Sequence, residues 1–579
     1  MQKTPSLEKM AGSILPVCVA MQRQQTSSFS LRSVRYIQSE TPRLGLLGVR
    51  RTVTLPTPLS LDFSLKGMAT VITGPAWSSA ILCWLLFLFG NFSVPAGWAG
   101  EPQAPQSNEG REAHKQEEHY FGPVADRLQE VILSDDFRIK LPRSGINLDQ
   151  ALHVPDWLHL GLDFRTRYES YSQPIKKDEK TGAAQFSERT DVNLIARYKP
   201  FKFHLEFLDA RPLYNYGLTV SNRMENQNDV LQLYGSLQTD NFLGSGLPTD
   251  LQIGKFTQDF GNRRLIARSH YNNVPHSFVG AHWTLGTRKD WEVRAFVMRP
   301  VENHQTSPDT VPSNTLFSGM FYLDQRIPWF HTELYVYYIS QNEQVQGTTG
   351  INQDQSSQGQ LADLYTPGFR LFKPEAKATF DYEIESAYQF GRSALRPGSP
   401  VLTTFAYFQH AEVGYTFALP WTPAIHIKYD YASGDSDPND NKNGRFNTLF
   451  GVGNTDLTHS GIWGLFKRSN LSSPGYVLSI EPKEGTRVSF KQRFYWLAQS
   501  KDEFEGAGLQ DSTGQAGNYL GSELDLRLAW TVSPNMVVEG GWVYLMKGSY
   551  YSNLVKQGVA GAPNDKNTDY VFLSLRLFF

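Results

Sequence analysis

The chain is 579 residues long, 40% hydrophobic and 19% charged, with a formal net charge of −2 and only 2 Cys. Cys18 lies in an N-terminal extension and Cys83 in an apolar run. Once both are removed with the leader, a disulfide scaffold, a thiolate zinc site and a catalytic thiol are excluded. Mean hydropathy is −0.39, too polar for a bundle of membrane helices but compatible with transmembrane strands, which turn only every second side chain to lipid.

The first element is the apolar run Ala80–Phe89 (AILCWLLFLF), preceded by Lys66 and followed by the small residues Ala96, Gly97 and Ala99. It has the length of a signal-peptide apolar region and is too short to span a bilayer. Residues 1–99 therefore read as a leader with cleavage near Ala99, and Met68 offers a second start. No Cys follows the run to carry a lipid. The remaining chain has 46 basic and 54 acidic side chains, a net of about −8, which argues against a nucleic-acid binder. Residues 100–156 read as a flexible periplasmic segment rich in Gln, Glu, Pro and Ser. A short helix is expected around Val124–Leu133, and His114 and His119 fall in the flexible part.

From Pro155-Asp156-Trp157 onward the pattern changes to period two. In Leu158–Glu169 (LHLGLDFRTRYE) the even positions Leu158, Leu160, Leu162, Phe164, Thr166 and Tyr168 form an apolar face. The odd positions, among them Asp163, Arg165, Arg167 and Glu169, are polar. A strand separates these sets because its side chains alternate; a helix mixes them. The pattern recurs in Phe201–Phe207, Phe380–Phe390, Ile425–Tyr431 and Leu524–Val532, separated by turns or long polar loops such as 341–360 and 434–447. Tyr and Trp gather near strand ends, where a ring can sit half wet at a membrane interface. The last strand carries Val571, Leu573, Leu575, Leu577 and Phe579 on one face and ends on an aromatic carboxy-terminal residue.

These features predict an all-β fold over residues 157–579. It is a transmembrane antiparallel up-and-down β-barrel of about 18 strands, with long loops on one side. The partners expected are outer-membrane lipid, the barrel assembly machinery that reads the strand ending at Phe579, and a hydrophilic solute in the lumen. Alternation turns Arg165, Arg167, Arg197, Lys202, Lys255, Arg294, Lys428, Arg487, Lys491, Arg493, Arg527 and Arg576 inward. Asp163, Glu169, Glu206, Asp381, Glu383, Glu385, Asp430, Glu523 and Asp525 share that face. The lumen is thus mixed in sign, and cross-strand pairing competes with solute guidance for each residue. An arginine left unpaired would guide a carboxylate, whose geometry the guanidinium fork matches.

Leu251–Leu265 (LQIGKFTQDFGNRRL), followed by His276-Ser277-Phe278-Val279-Gly280, resembles the block of the alginate-export family of outer-membrane porins. Further matching pieces are Trp157–Glu169, Leu208–Arg211 (LDAR), Tyr382–Gly391, Tyr429–Pro438, Phe446–Phe450 (FNTLF) and Gly521–Leu526 (GSELDL). The resemblance spans residues 157 to 579. It implies a monomeric 18-stranded barrel whose polar, arginine-bearing lumen passes an anionic polysaccharide, and it adds Arg211, Arg263 and Arg264 to the candidates. The chain departs from the family's pattern at Lys255, where Arg is usual, and at Asn262 and Val279, where Asp is usual.

Other constellations are weaker. Asp435, Asp437, Asn439 and Asn441 alternate in a loop as calcium ligands do, but Phe446 stands where the distal Glu of such a loop belongs. No metal or cofactor is expected. Nucleophile-elbow, P-loop and dinucleotide motifs are absent from the sequence, so no enzyme is expected either. Two rivals to a passive channel remain: an outer-membrane barrel hydrolase, and a structural or adhesive barrel plugged by its own loops.

Overall fold

The computed structural model describes residues 130–134, 137–140, 145–341, 362–395, 399–452 and 456–579. The leader, the first part of the expected helix and loop 342–361 lie outside the described residues. Within 124–133 the helical expectation is corrected. Glu130–Ser134 is a strand paired antiparallel with Phe137–Lys140, in keeping with Val131 and Ile132, whose branched Cβ favours extended backbone. The helix before the barrel is instead α1, Leu148–Ala151, whose N-cap Asn147 accepts from the Asp149 and Gln150 amides. Its Asp149 holds His159 Nδ1 at 2.5 Å and the Leu160 amide at 2.7 Å, fixing the chain as it enters the wall.

The wall strands are β1 (Leu158–Tyr171), β2 (Ala183–Tyr198), β3 (Phe201–Tyr216), β4 (Asn226–Thr239), β5 (Thr249–Phe256) and β6 (Phe278–Thr287). They continue as β7 (Trp291–Pro300), β8 (Thr315–Asp324), β9 (His331–Gln341), β10 (Ala362–Lys373), β11 (Thr379–Ala394) and β12 (Val401–Thr416). The last six are β13 (Ala424–Ala432), β14 (Leu471–Lys483), β15 (Thr486–Trp496), β16 (Tyr519–Ser533), β17 (Met536–Lys547) and β18 (Thr568–Phe578). Each pairs antiparallel with its neighbours in sequence, and β18 returns to β1 to close the barrel. Closure extends to the last residue: Leu162 and Phe579 exchange both backbone hydrogen bonds at 2.9 Å. Every wall strand is thereby hydrogen-bonded on both sides, as a bilayer requires.

The side chains sort as the alternation predicts. On β11 Phe380 is 67% exposed while Asp381 beside it is 5% exposed. Phe201, Phe203, Ile427, Leu526 and Leu573 likewise face outward, and Lys202, His204, Asp430, Asp525 and Arg527 are buried. Burial here means facing the lumen, so the apolar residues are outside and the charged ones inside, the inverse of a water-soluble sheet.

Connections alternate in length. One rim carries short turns, such as 199–200, 484–485 and 534–535, and the other carries long loops, including 257–277, 433–470 and 497–518. Both ends of the barrel domain lie at the short-turn rim. There Asn535 accepts from the Ile146 amide at 2.6 Å and donates to its carbonyl at 2.8 Å.

Candidate functional site in the barrel lumen

Two of the long loops fold into the barrel rather than away from it. The first strap, residues 257–277, leaves β5 and returns at β6; the second, residues 433–470, joins β13 to β14. They meet as short extended segments. Ile266 bridges Phe450 in parallel, and backbone bonds run from Phe450 N to Leu265 O at 3.0 Å and from Ala267 N to Phe450 O at 3.1 Å.

Charged anchors hold the crossing. Arg264, 1% exposed in its side chain, donates to Glu385 at 2.6 Å and to Glu383, both on β11, and to Asp456 of the second strap at 2.5 Å. Asp456 also takes Arg468, while Arg493 of β15 reaches Asp430 of β13 at 2.5 Å and His410 of β12 reaches it at 2.9 Å. Burial works against the Asp456 carboxylate, but Arg264 and Arg468 hold it well below the usual carboxylate range. Arg268 of the first strap pairs with Glu206 of β3 at 2.5 Å. Trp463 of the second strap donates to Glu523 of β16 at 2.8 Å.

The far end of the first strap is held differently. Arg165 of β1 donates to the carbonyls of His270 at 2.9 Å and Asn272 at 3.0 Å, and to Asn273 Oδ1 at 3.2 Å. Arg189 of β2 reaches the same two carbonyls at 3.4 and 3.2 Å. In the strand register Arg576, Arg165 and Arg189 stand side by side. Arg576 is paired with Asp163, and Arg189 with Asp191 at 2.8 Å. Arg165 makes no ion pair among the described residues, and its Nε is buried without a partner.

Seven of the remaining sequence candidates are engaged with carboxylates. Arg167 holds Glu169 at 3.0 Å with its guanidinium over the Tyr271 ring. Arg211 holds Asp209 at 2.9 Å, Lys255 holds Asp229 at 2.9 Å and Asp309 at 3.1 Å, and Arg263 lies 3.6 Å from Asp259. Arg294 holds Glu292 at 2.5 Å, Lys428 holds Glu412 at 3.0 Å and Arg527 holds Glu539 at 2.5 Å. Arg197 is half-buried at the short-turn rim, where its amide donates to Trp157 O at 2.7 Å. The alternating acidic loop is spent on turns: Asp437 accepts from the Asn439 amide at 3.1 Å, and Asp435 from the Gly444 amide at 3.2 Å. Asn441 continues that loop with its carbonyl on the Thr403 amide at 3.1 Å.

The polar, arginine-bearing lumen that the resemblance implies covers only part of the inner wall. One side of the interior is aromatic: Phe256, Phe278, Phe296, Phe317, Phe321, Tyr335 and Tyr337 pack with Phe260, Leu265, Ile266, Phe446 and Phe450 of the straps. A second cluster joins Ile462, Trp463 and Phe466 to Tyr495, Phe504, Tyr570 and to Tyr550 and Tyr551 of α2, Ser549–Lys556. The straps enter because their own apolar residues match these inner surfaces. On the short-turn side of the crossing a cavity of about 270 Å³ remains, lined by Asn262, Arg370, Lys373, Glu375, Asp381, Glu383, Glu412, Lys428 and Asp456 among others. Asn262 donates to Glu383 at 3.3 Å there; an Asp at this position would set two carboxylates against each other.

A closed 18-strand barrel with an apolar exterior, charged interior and constricting straps is an outer-membrane channel protein. The profile of the alginate-export family matches residues 156–559, and the chain belongs to that family. No curated protein matches it in sequence. Among solved structures it is similar to Acinetobacter baumannii OccAB3, at 9% identity over 73% of this chain and 99% of that one, with a TM-score of 0.50. It is also similar to Pseudomonas aeruginosa OccD3 (OpdP), at 10% identity over 73% and 91% of the two chains, with a TM-score of 0.46. The likeness to OccAB3 is one of fold.

Proposed function

We propose that this outer-membrane channel passes acidic hydrophilic solutes, of which an anionic polysaccharide, as the family's description suggests, is one class. The observation that carries this reading is the row Arg576, Arg165 and Arg189, in which two carboxylates answer three guanidiniums. A solute carboxylate is the partner that such an excess positive charge favours, because charge-assisted bidentate bonds are about twice as strong as neutral ones. On this reading the chain acts by diffusion rather than catalysis, as a monomer. Residues 1–99 are removed on export, and residues 100–156 lead from the periplasm into the barrel. The strand ending at Phe579 is the one presented to the assembly machinery.

The test is single-channel recording of the refolded mature chain in planar bilayers under a salt gradient. Stable steps with a reversal potential favouring anions are expected. Steps that favour cations would overturn the acidic-solute reading.

A further inference from the structure

The anchors of the first strap are chemically unequal, and the inequality has a functional consequence. At Arg264 and Arg268 the partners are carboxylates. At residues 270–273 each anchor is a neutral acceptor or donor: the His270 and Asn272 carbonyls on Arg165 and Arg189, and the Asn273 amide group on the carbonyls of Glu188 at 3.0 Å and Met224 at 2.9 Å. The groups facing this end from the surrounding wall are Asp163, Arg167, Asp191, Glu206 and Arg576; Asp163 holds Arg576, Asp191 holds Arg189, Glu206 holds Arg268 of the strap, and Arg167 holds Glu169 with its guanidinium over Tyr271.

We infer that Arg165 and the His270 and Asn272 carbonyls form a latch that a solute carboxylate releases. The guanidinium fork fits a carboxylate better than two backbone carbonyls, and the exchange replaces neutral acceptors by a charged one. Arg165 also has a buried Nε–H without a partner, which opening of the segment would offer to the anion. Asn272 is half-buried, so the latch meets solvent at that residue, while its neighbour Tyr271 is packed in the second aromatic cluster. Once a carboxylate occupies Arg165, the segment 270–273 loses its hydrogen bonds to β1 and keeps the Tyr271 contacts with Arg167 and Tyr570, while Arg264 and Arg268 keep the rest of the strap seated. The channel's own anion therefore loosens the obstacle in its path. A neutral sugar, whose hydroxyls are neutral acceptors no stronger than the carbonyls, leaves the strap where it is. The device rests on the channel reading above, with acidic solutes as cargo.

The experiment is hydrogen–deuterium exchange of the refolded mature chain, with glucuronate or glucose as probe, alongside bilayer recordings with the same compounds. Glucuronate is expected to raise exchange at residues 268–276 by roughly threefold or more, as a local opening would, and glucose to leave it unchanged. Arg165→Met is expected to show the raised exchange without any probe and no further response; should that variant fail to fold, Arg165→Gln, whose shorter, uncharged side chain carries no guanidinium fork, serves in its place. Glucuronate that modulates the current while exchange at 268–276 stays flat would overturn the latch and leave the channel reading standing. Silent bilayers from folded protein would overturn the channel reading, and the exchange response would still decide the latch.

Discussion

Arg264 and Asp456 meet at 2.5 Å inside the barrel, although they belong to loops that leave the wall eight connections apart. Their ion pair is the charged rivet of the crossing. Removing one partner of a buried pair leaves the other uncompensated and costs about 3–5 kcal/mol. Arg264→Ala is therefore expected to lower the temperature at which the folded barrel shifts mobility on a gel and to enlarge the conductance step. An unchanged step size would mean that the crossing does not limit the current.

The aromatic side of the crossing predicts a second effect. Phe450 lies 4.8 Å from the Phe317 ring and 5.2 Å from that of Phe278, and it is 3% exposed. Phe450→Ala empties this site at a cost of about 3–5 kcal/mol. Faster proteolysis within 433–470, with the wall strands still protected, is the expected readout. Cleavage in the wall as well would show that the cluster supports the whole barrel.

Acid should loosen the first strap. Burial pushes the His270 imidazole down to about 3, against the opposing pull of Asp259 at 2.8 Å, and the His276 imidazole down to about 4. Both folded values lie below the ordinary value of about 6.5. Their contribution is thus fully present above pH 6.5 and is lost as pH falls toward 4 and 3. Exchange at residues 268–276 is expected to rise between pH 6.5 and 4, and His270→Gln to reduce that rise. A flat profile in the parent chain would contradict the assignment.

The two faces of one strand predict opposite tolerances. Leu526, 47% exposed, faces lipid at the middle of β16, whereas Arg527 beside it faces the lumen. Leu526→Arg should cost about 2–4 kcal/mol at the bilayer midplane, read as a reduced folded fraction in lipid vesicles. Wild-type yields from this variant would argue that the strand register is displaced.

The wall was legible in the sequence because its signal is local. Phe380 and Asp381 declare opposite faces whatever lies elsewhere in the chain, and the same logic applied to β2 would have found Arg189. The interior was less legible. Leu334–Ile339 (LYVYYI) breaks the alternation because Tyr335 and Tyr337 face strap residues instead of water. Nothing near Arg268, Arg468 or Asp456 announces an inward loop, since their ion-pair partners lie from 12 to 192 residues away. Pairing of the candidate arginines is likewise set by three-dimensional neighbours, so periodicity placed them in the lumen without saying which one lacked a carboxylate.

Tyr271 of the first strap shares a 2.8 Å hydrogen bond with Tyr570 of the final strand, and Arg165 holds the same strap from the first. The strap is synthesised early yet depends on a residue from the last dozen. The Tyr271 contact can therefore form only once β18 is in place. During biogenesis this end of the obstruction is set late, and a chain truncated before Tyr570 would keep the Arg264 and Arg268 anchors while losing this one.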